Sequence, residues 1–232
     1  MKQLIGFLLG LYGFGAIAAI GIPLYAASTD TVKVEEKVVQ LHIIKPDPKP
    51  VEEKAIRSFR KIDIAKKQDL SRFVCSGAFV SPYGHILTAR HCTNEALEIE
   101  VETYDRQLYN ATIVYVSSTA DLALLHVNKR NSPYFELAKE VTRGQKIYVL
   151  GSPLGIGDTL ATGIVAKLWG DLMLIDCSVL PGNSGGPAFD ENGHLVGVTT
   201  AGFVVFLGMT HLNIAQSLDG IYYFLLEAAR RS

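Results

Sequence analysis

Charge is scarce in this chain. Only 19% of its 232 residues are Asp, Glu, Lys or Arg, and the two signs nearly cancel, leaving a net charge of −1. Without a basic excess there is no electrostatic footprint for nucleic acid, and without a strong field of either sign there is no long-range steering of a charged partner. No His, Cys, Asp and Glu cluster has the spacing of a metal site, and no glycine-rich phosphate loop is present, so no cofactor and no metal are expected. Cysteine is scarce too: Cys75, Cys92 and Cys177 are the three. They allow three single-bridge pairings, each leaving one thiol over. No internal repeat is visible.

Charge is missing altogether from residues 4–27. A signal peptide has a shorter apolar run and a small-residue cleavage region, a part that Tyr25-Ala26-Ala27-Ser28 can play. The uncharged run is also long enough to cross about 30 Å of hydrocarbon as a helix. Residues 1–28 are therefore read as a signal peptide or an uncleaved membrane anchor in a hydrophobic helix. Either way the rest of the chain lies outside the cytoplasm: secreted, periplasmic or membrane-anchored. Residues 29–54 read as a linker. Lys45-Pro46-Asp47-Pro48-Lys49-Pro50 favours extended conformations, and Glu35, Glu36, Glu52 and Glu53 keep its flanks solvated. Within it, 38–44 has the makings of one strand.

From residue 55 onward the pattern is one of short apolar runs separated by turn residues. The runs 73–80, 86–89, 97–103, 111–116 and 122–127 form a first set. The runs 146–150, 160–165, 172–175, 187–189, 195–201 and 209–214 form a second. Many short strands at this spacing predict barrels or a sandwich. Residues 217–230 carry apolar side chains at helical spacing, with Ser217 or Asp219 as cap.

One stretch organises the rest: Leu180-Pro181-Gly182-Asn183-Ser184-Gly185-Gly186-Pro187. A serine between glycine turns suits neither helix nor strand. It does suit a nucleophile, because Gly182 and Gly185 let the backbone turn tightly and approach a substrate. In such a turn the N–H groups of Gly182 and Ser184 can converge on one point and form an oxyanion hole. A surface loop with an incidental serine is the plain alternative. Two partners upstream tip the balance. The apolar run Ile86-Leu87-Thr88-Ala89 delivers His91, and Asp121 opens the run Leu122-Ala123-Leu124-Leu125. His, Asp and Ser in that order is one of the chain orders used by serine hydrolases.

With these blocks, and Gly151-Ser152-Pro153-Leu154-Gly155 followed by Thr162-Gly163-Ile164-Val165 between them, the chain resembles serine peptidases of the trypsin/chymotrypsin fold. It is most similar to their HtrA (Deg) branch. The resemblance implies an all-β fold of two six-stranded barrels over 55–232, with a C-terminal helix. It implies a serine endopeptidase that hydrolyses peptide bonds through an acyl-enzyme, with Ser184 as nucleophile, His91 as general base and Asp121 orienting the imidazole. Imidazole suits that role because the residue type titrates near neutral pH. The resemblance also implies a Cys75–Cys92 disulfide, which suits an oxidising compartment, and leaves Cys177 as a buried free thiol.

Counting from Ser184 places Ser178 at the base of the specificity pocket. Thr199, Thr200, Ala201 and Gly202 form one wall, where substrate pairs as an added strand. Residues 209–212 form the other. No acid sits at the pocket base, so the expected preference is a small or medium apolar side chain; His211 reaching the pocket would instead favour Glu or Gln. Asn183 replaces the aspartate that trypsin-like zymogens pair with a new N-terminus, so activity is set by loop ordering. HtrA proteins usually carry a PDZ domain after the peptidase, and none is expected here. The expected partners are a polypeptide substrate, the membrane if the N-terminal segment stays uncleaved, and other copies of the chain, since the family often forms trimers. The competing function is a latent or inactive peptidase fold that binds peptides at a membrane.

Overall fold

The structure, a computed structural model, describes residues 36–46, 70–155, 157–200 and 212–231. The N-terminal hydrophobic helix, most of the linker, its boundary at residue 55 and the pocket residues 201–211 lie outside these residues. Among the described residues no helix is long and apolar enough to cross a membrane.

Two antiparallel sheets dominate. The first contains β1 (Val38–Pro46), β2 (Leu70–Phe79), β3 (His85–Thr88), β4 (Glu98–Glu102), β5 (Leu108–Asn110), β6 (Thr112–Val116) and β7 (Ala123–His126), in the order β5-β4-β1-β2-β3-β7-β6. The second is a closed barrel of β8 (Lys146–Gly151), β9 (Thr159–Trp169), β10 (Leu172–Ile175), β11 (Pro187–Phe189), β12 (Leu195–Thr200) and β13 (Asn213–Ser217). Its closed order is β10-β13-β12-β11-β8-β9. The predicted all-β architecture of two barrel-like sheets is thus present: the second closes into a six-stranded barrel, and the first has seven strands instead of six.

The strand expected over 38–44 is present as β1, and it belongs to the first sheet. Residues 38–46 are not a spacer: β1 lies between β2 and β4 and hydrogen-bonds both. Leu41 and Ile43 point into the core while His42 and Ile44 are half-exposed, which is the period of a one-sided strand. The prolines that suggested a linker begin only at its last residue.

Each sheet encloses its own apolar cluster. Leu41, Ile43, Phe79, Ile86, Ile99 and Leu125 fill the first, and Ile147, Val149, Val165, Met173, Ile175 and Val196 the second. A third cluster joins them. Leu87, Leu124, Leu150, Phe189 and Val198 meet there, covered by helix α2 (Leu218–Arg230) through Ile221, Phe224, Leu225 and Ala228. Those four recur at helical spacing. Ser217 caps the helix by accepting the Gly220 N–H at 3.3 Å. The seam between the sheets is therefore solid apolar packing, and side chains from both sides keep fixed places across it.

One buried group makes the first sheet sensitive to acid. His85 on β3 is 4% exposed. It lies 2.7 Å from Ser81 Oγ and 5.1 Å, ring to ring, from His126. Burial first, and the neighbouring imidazole second, pull its pKa down to about 4. The unfolded chain takes up this proton near pH 6.5 and the folded chain only near 4. The stability it contributes is whole above 6.5 and drains away as the pH falls through that window. The shift corresponds to about 3 kcal/mol at most. Urea midpoints should fall between pH 7 and pH 4.5, and His85→Gln should flatten that fall; an equal fall in both proteins would show that other groups cause it.

Candidate active site

The glycine-rich stretch folds as its residues dictate. Asn183 N–H donates to Leu180 O at 2.9 Å, closing a turn with Pro181 and Gly182 at its centre. Gly182 has φ +105°, the left-handed value that the third position of a type II turn requires. Gly185, at φ +82°, reverses the chain again. Its N–H donates to Thr199 O at 2.8 Å, and Gly186 N–H donates to Asn183 O at 2.9 Å. Pro187 then enters β11. Ser184 sits between the reversals, 4% exposed. The N–H groups of Gly182 and Ser184 have no acceptor among the described residues, although both residues are buried. Buried N–H groups are seldom left so. Two side by side on one turn are suited to an anion or a developing oxyanion.

The first sheet supplies the other half. Helix α1 (Arg90–Thr93) is a single turn at the end of β3, and a disulfide from its Cys92 to Cys75 of β2 pins it, with Cα atoms 6.3 Å apart. His91 Nδ1–H donates to Asp121 Oδ2 at 2.8 Å, and its own backbone N–H donates to Oδ1 at 2.9 Å. Both carboxylate oxygens are thus committed to one residue. Burial pushes the Asp121 carboxyl up. The His91 hydrogen bond and charge, its backbone N–H and the Arg90 guanidinium outweigh that and hold it below the usual carboxylate range. The imidazole keeps 42% of its side-chain surface exposed, against 25% for the carboxylate, so the free face of the ring looks outward. Arg90 donates to the carbonyls of Ser117 and Ser118, each at 3.3 Å, and so braces the loop that carries Asp121.

Ser76 on β2 joins the halves. Its N–H donates to Ser184 O at 2.8 Å and its hydroxyl to Gly182 O at 2.7 Å. The same hydroxyl accepts Ser152 N–H at 3.0 Å, and its carbonyl accepts Thr88 Oγ1–H at 2.8 Å. Gly151, before Ser152, packs tightly on the turn: a Cβ there would stand 2.8 Å from Asn183 Oδ1 and 3.0 Å from Ser76 Oγ, so those side chains would have to shift. That Oδ1 is itself buried without a hydrogen-bond partner among the described residues.

The structure thus joins His91 to Asp121 and sets Ser184 in a turn with two unengaged donors. No hydrogen bond links Ser184 Oγ to His91. The expected pocket residues fare differently. Ser178 is exposed beyond β10. Thr200 is paired with Ile214 and donates its hydroxyl to Ile214 O at 3.0 Å. Thr199 is not a substrate-facing wall. It is fully buried, its N–H donates to Gly186 O at 2.9 Å, and its carbonyl is taken by Gly185. Every residue of β12 is buried, so alternation along this strand does not tell which side chain faces the cleft. Sequence reasoning missed Ser76, Thr88 and the bracing role of Arg90. A lone serine in the buried strand Val74-Cys75-Ser76-Gly77 was the available signal.

Cys75, Cys92 and His91 place donor atoms within 4.8 Å of one another. Both sulfurs are spent in the disulfide, and neither is a thiolate for a metal. Cys177 is a free buried thiol; burial first, then Asp176, raises it to about 11, which keeps it protonated and inert at neutral pH.

The chain is similar to known proteins in sequence and in fold. Residues 75–198 match the model of the trypsin-like peptidase domain. A probable periplasmic serine endoprotease DegP-like from Bartonella henselae is 36% identical over 139 residues, covering 55% of this chain and 28% of that protein. One of the same description from Pseudomonas putida (strain W619) is 32% identical over 154 residues, 62% of this chain and 32% of that one. The chain spans less than a third of the length of these relatives. Among solved structures, the HtrA-type protease AlgW with decapeptide superposes with a TM-score of 0.70 at 26% identity, covering 86% of this chain and 66% of that one. The serine endoprotease from Yersinia pestis shares the fold at a TM-score of 0.69 and 22% identity, covering 90% and 68%. The match to the family model takes in more than half of the sequence, and the chain belongs to the trypsin-like peptidase domain family.

Proposed function

We propose that the chain is a serine endopeptidase acting outside the cytoplasm, with Ser184, His91 and Asp121 as its catalytic triad. The observation that carries this reading is the two-point clasp of Asp121 on His91, at 2.8 and 2.9 Å. It fixes the tautomer with the proton on Nδ1 and leaves Nε2 as a base. Ser184 Oγ attacks the peptide carbonyl as Nε2 takes its proton. The carbonyl oxygen, now an anion, is met by the N–H groups of Gly182 and Ser184. The imidazolium passes its proton to the departing amine, and water repeats the sequence to release the acyl group. Asp121 stays ionised throughout, in keeping with its lowered pKa.

The compartment follows from three supports: the uncharged residues 4–27, the Cys75–Cys92 disulfide, and relatives described as periplasmic. A polypeptide substrate is supported by the family and by the decapeptide carried by AlgW. A small or medium apolar side chain at the cleaved position suits a pocket with no acid at Ser178.

A second reading has one observation in its favour: Ser184 Oγ makes no hydrogen bond to His91. That geometry fits a latent peptidase fold that binds peptides without cutting them, although apo sites of active enzymes also show long catalytic contacts.

Intact-mass spectrometry of the oxidised full chain after fluorophosphonate treatment separates the two. The wild type should gain one adduct and Ser184→Ala none; a folded wild type that gains none belongs to the second reading. Asp121→Asn should lower kcat for a peptide substrate by roughly 10³–10⁴-fold with KM little changed, because the imidazole then rests in the wrong tautomer. A loss smaller than tenfold would remove Asp121 from the triad.

A further inference from the structure

We infer that Thr199 is a positioning residue for the oxyanion site, its buried hydroxyl holding the Asn183–Ser184 peptide so that the Ser184 N–H faces the reacting carbonyl. The inference rests on the peptidase reading above and adds a residue to it.

A trans peptide is planar, and its N–H and C=O point in opposite directions. Whatever grips Asn183 O therefore aims Ser184 N–H. Two donors grip it: Gly186 N–H at 2.9 Å and Thr199 Oγ1–H at 2.6 Å. The threonine hydroxyl also has Gly186 O within reach, at 3.1 Å. It has one proton for two carbonyls, and the shorter contact is the one to Asn183.

The two donors differ in what holds them. Gly186 belongs to the turn itself and moves with it. Thr199 belongs to β12, inside the closed barrel, where it pairs with Ala215 of β13 and is fully buried. Its hydroxyl is therefore anchored to a strand, which is a stiffer mount than a loop.

The turn needs such an anchor. Gly182 and Gly185 lie on either side of the Asn183–Ser184 pair, both at positive φ, and a segment bounded by glycines is held less firmly by its own backbone. If the Asn183–Ser184 peptide rotates, the carbonyl oxygen takes the place of the N–H. A negative dipole then sits where the oxyanion must form, and one of two donors is lost. On the other side, Ser76 Oγ holds the Gly182 carbonyl at 2.7 Å, so the adjoining peptide is already fixed from the first sheet. Thr199 completes the restraint from the second.

The test compares wild type, Thr199→Val, Thr199→Ala and Thr199→Ser as oxidised full chains. Valine keeps the shape and removes the hydroxyl, alanine serves should valine fail to fold, and serine keeps the hydroxyl. Thermal melts confirm folding. Fluorophosphonate labelling of Ser184 should slow about tenfold in Thr199→Val, less than the roughly 10²–10³-fold cost of deleting a donor outright. For a peptide substrate kcat should fall by the same factor with KM within twofold, the mark of an interaction made in the transition state. Thr199→Ser should recover to within about threefold of wild type by either readout. Labelling of Thr199→Val at the wild-type rate overturns the inference, and so does Thr199→Ser as slow as valine. A wild type that does not label defeats the peptidase reading instead. The clamp is then judged by crystals of Thr199→Val alone: a rotated Asn183–Ser184 peptide upholds it, an unmoved one rejects it.

Discussion

Two consecutive residues of one strand hold the site together. Cys75 is bonded to Cys92 and so fixes the helical turn that carries His91. Ser76, the next residue, spends its N–H, its carbonyl and its hydroxyl on Ser184, Thr88, Gly182 and Ser152. Neighbouring side chains on a strand point to opposite faces. One therefore reaches into the first sheet while the other reaches across to the second. The spacing between imidazole and serine is set by a rigid β2 and by bonds that are all buried. Each such bond has a modest net worth, about 0.5–1.5 kcal/mol, yet stranding its partner costs about 1–3 kcal/mol. The network therefore resists partial loss.

The electrostatics run in two directions. Around His91 the charges are paired: Asp121 takes the ring proton and the backbone proton, and Arg90 lies near enough to favour the carboxylate. Around Ser184 the balance is left open. Among the described residues two N–H groups lack acceptors and Asn183 Oδ1 lacks a donor. Unmet polar groups in a packed interior are a reservoir of strain that well-folded regions avoid. Three of them share this one turn, while Gln216 Oε1 on β13 is the other buried side-chain atom without a partner among the described residues.

Much of this was legible in the residues. The order of His91, Asp121 and Ser184 and the glycines around Ser184 report local demands, and local demands write themselves into local sequence. The strands that alternate cleanly were legible for the same reason. The strand of β1 was legible over 38–44, but its place in the first sheet was not, because the charges and prolines beside it resemble a spacer. Ser76 and Thr199 were hidden for a different reason. Each is a single polar residue in a buried strand, and its purpose lies with partners 106 and 16 positions away. No window along the chain contains both ends of such a bond. Thr199 was also assigned the wrong face, because a strand buried on both sides carries no alternation to read.

The glycines have an evolutionary consequence. A methyl at Gly185 would overlap Thr88 Oγ1 and the Ser76 carbonyl; one at Gly186 would meet Leu150 O at 2.5 Å and Asn183 O at 3.0 Å; one at Gly151 would strike Asn183 Oδ1. The obstacles come from β2, β3, β8 and the turn itself, four stretches distant in sequence. At Gly185 and Gly186 the obstacles include backbone atoms of Ser76, Ala89 and Leu150, so relieving those overlaps means moving main chain and not one side chain. Descent can rewrite the exposed surface of both barrels one residue at a time. It has less room at Gly185 and Gly186, where a single added methyl would press on main chain from separate strands.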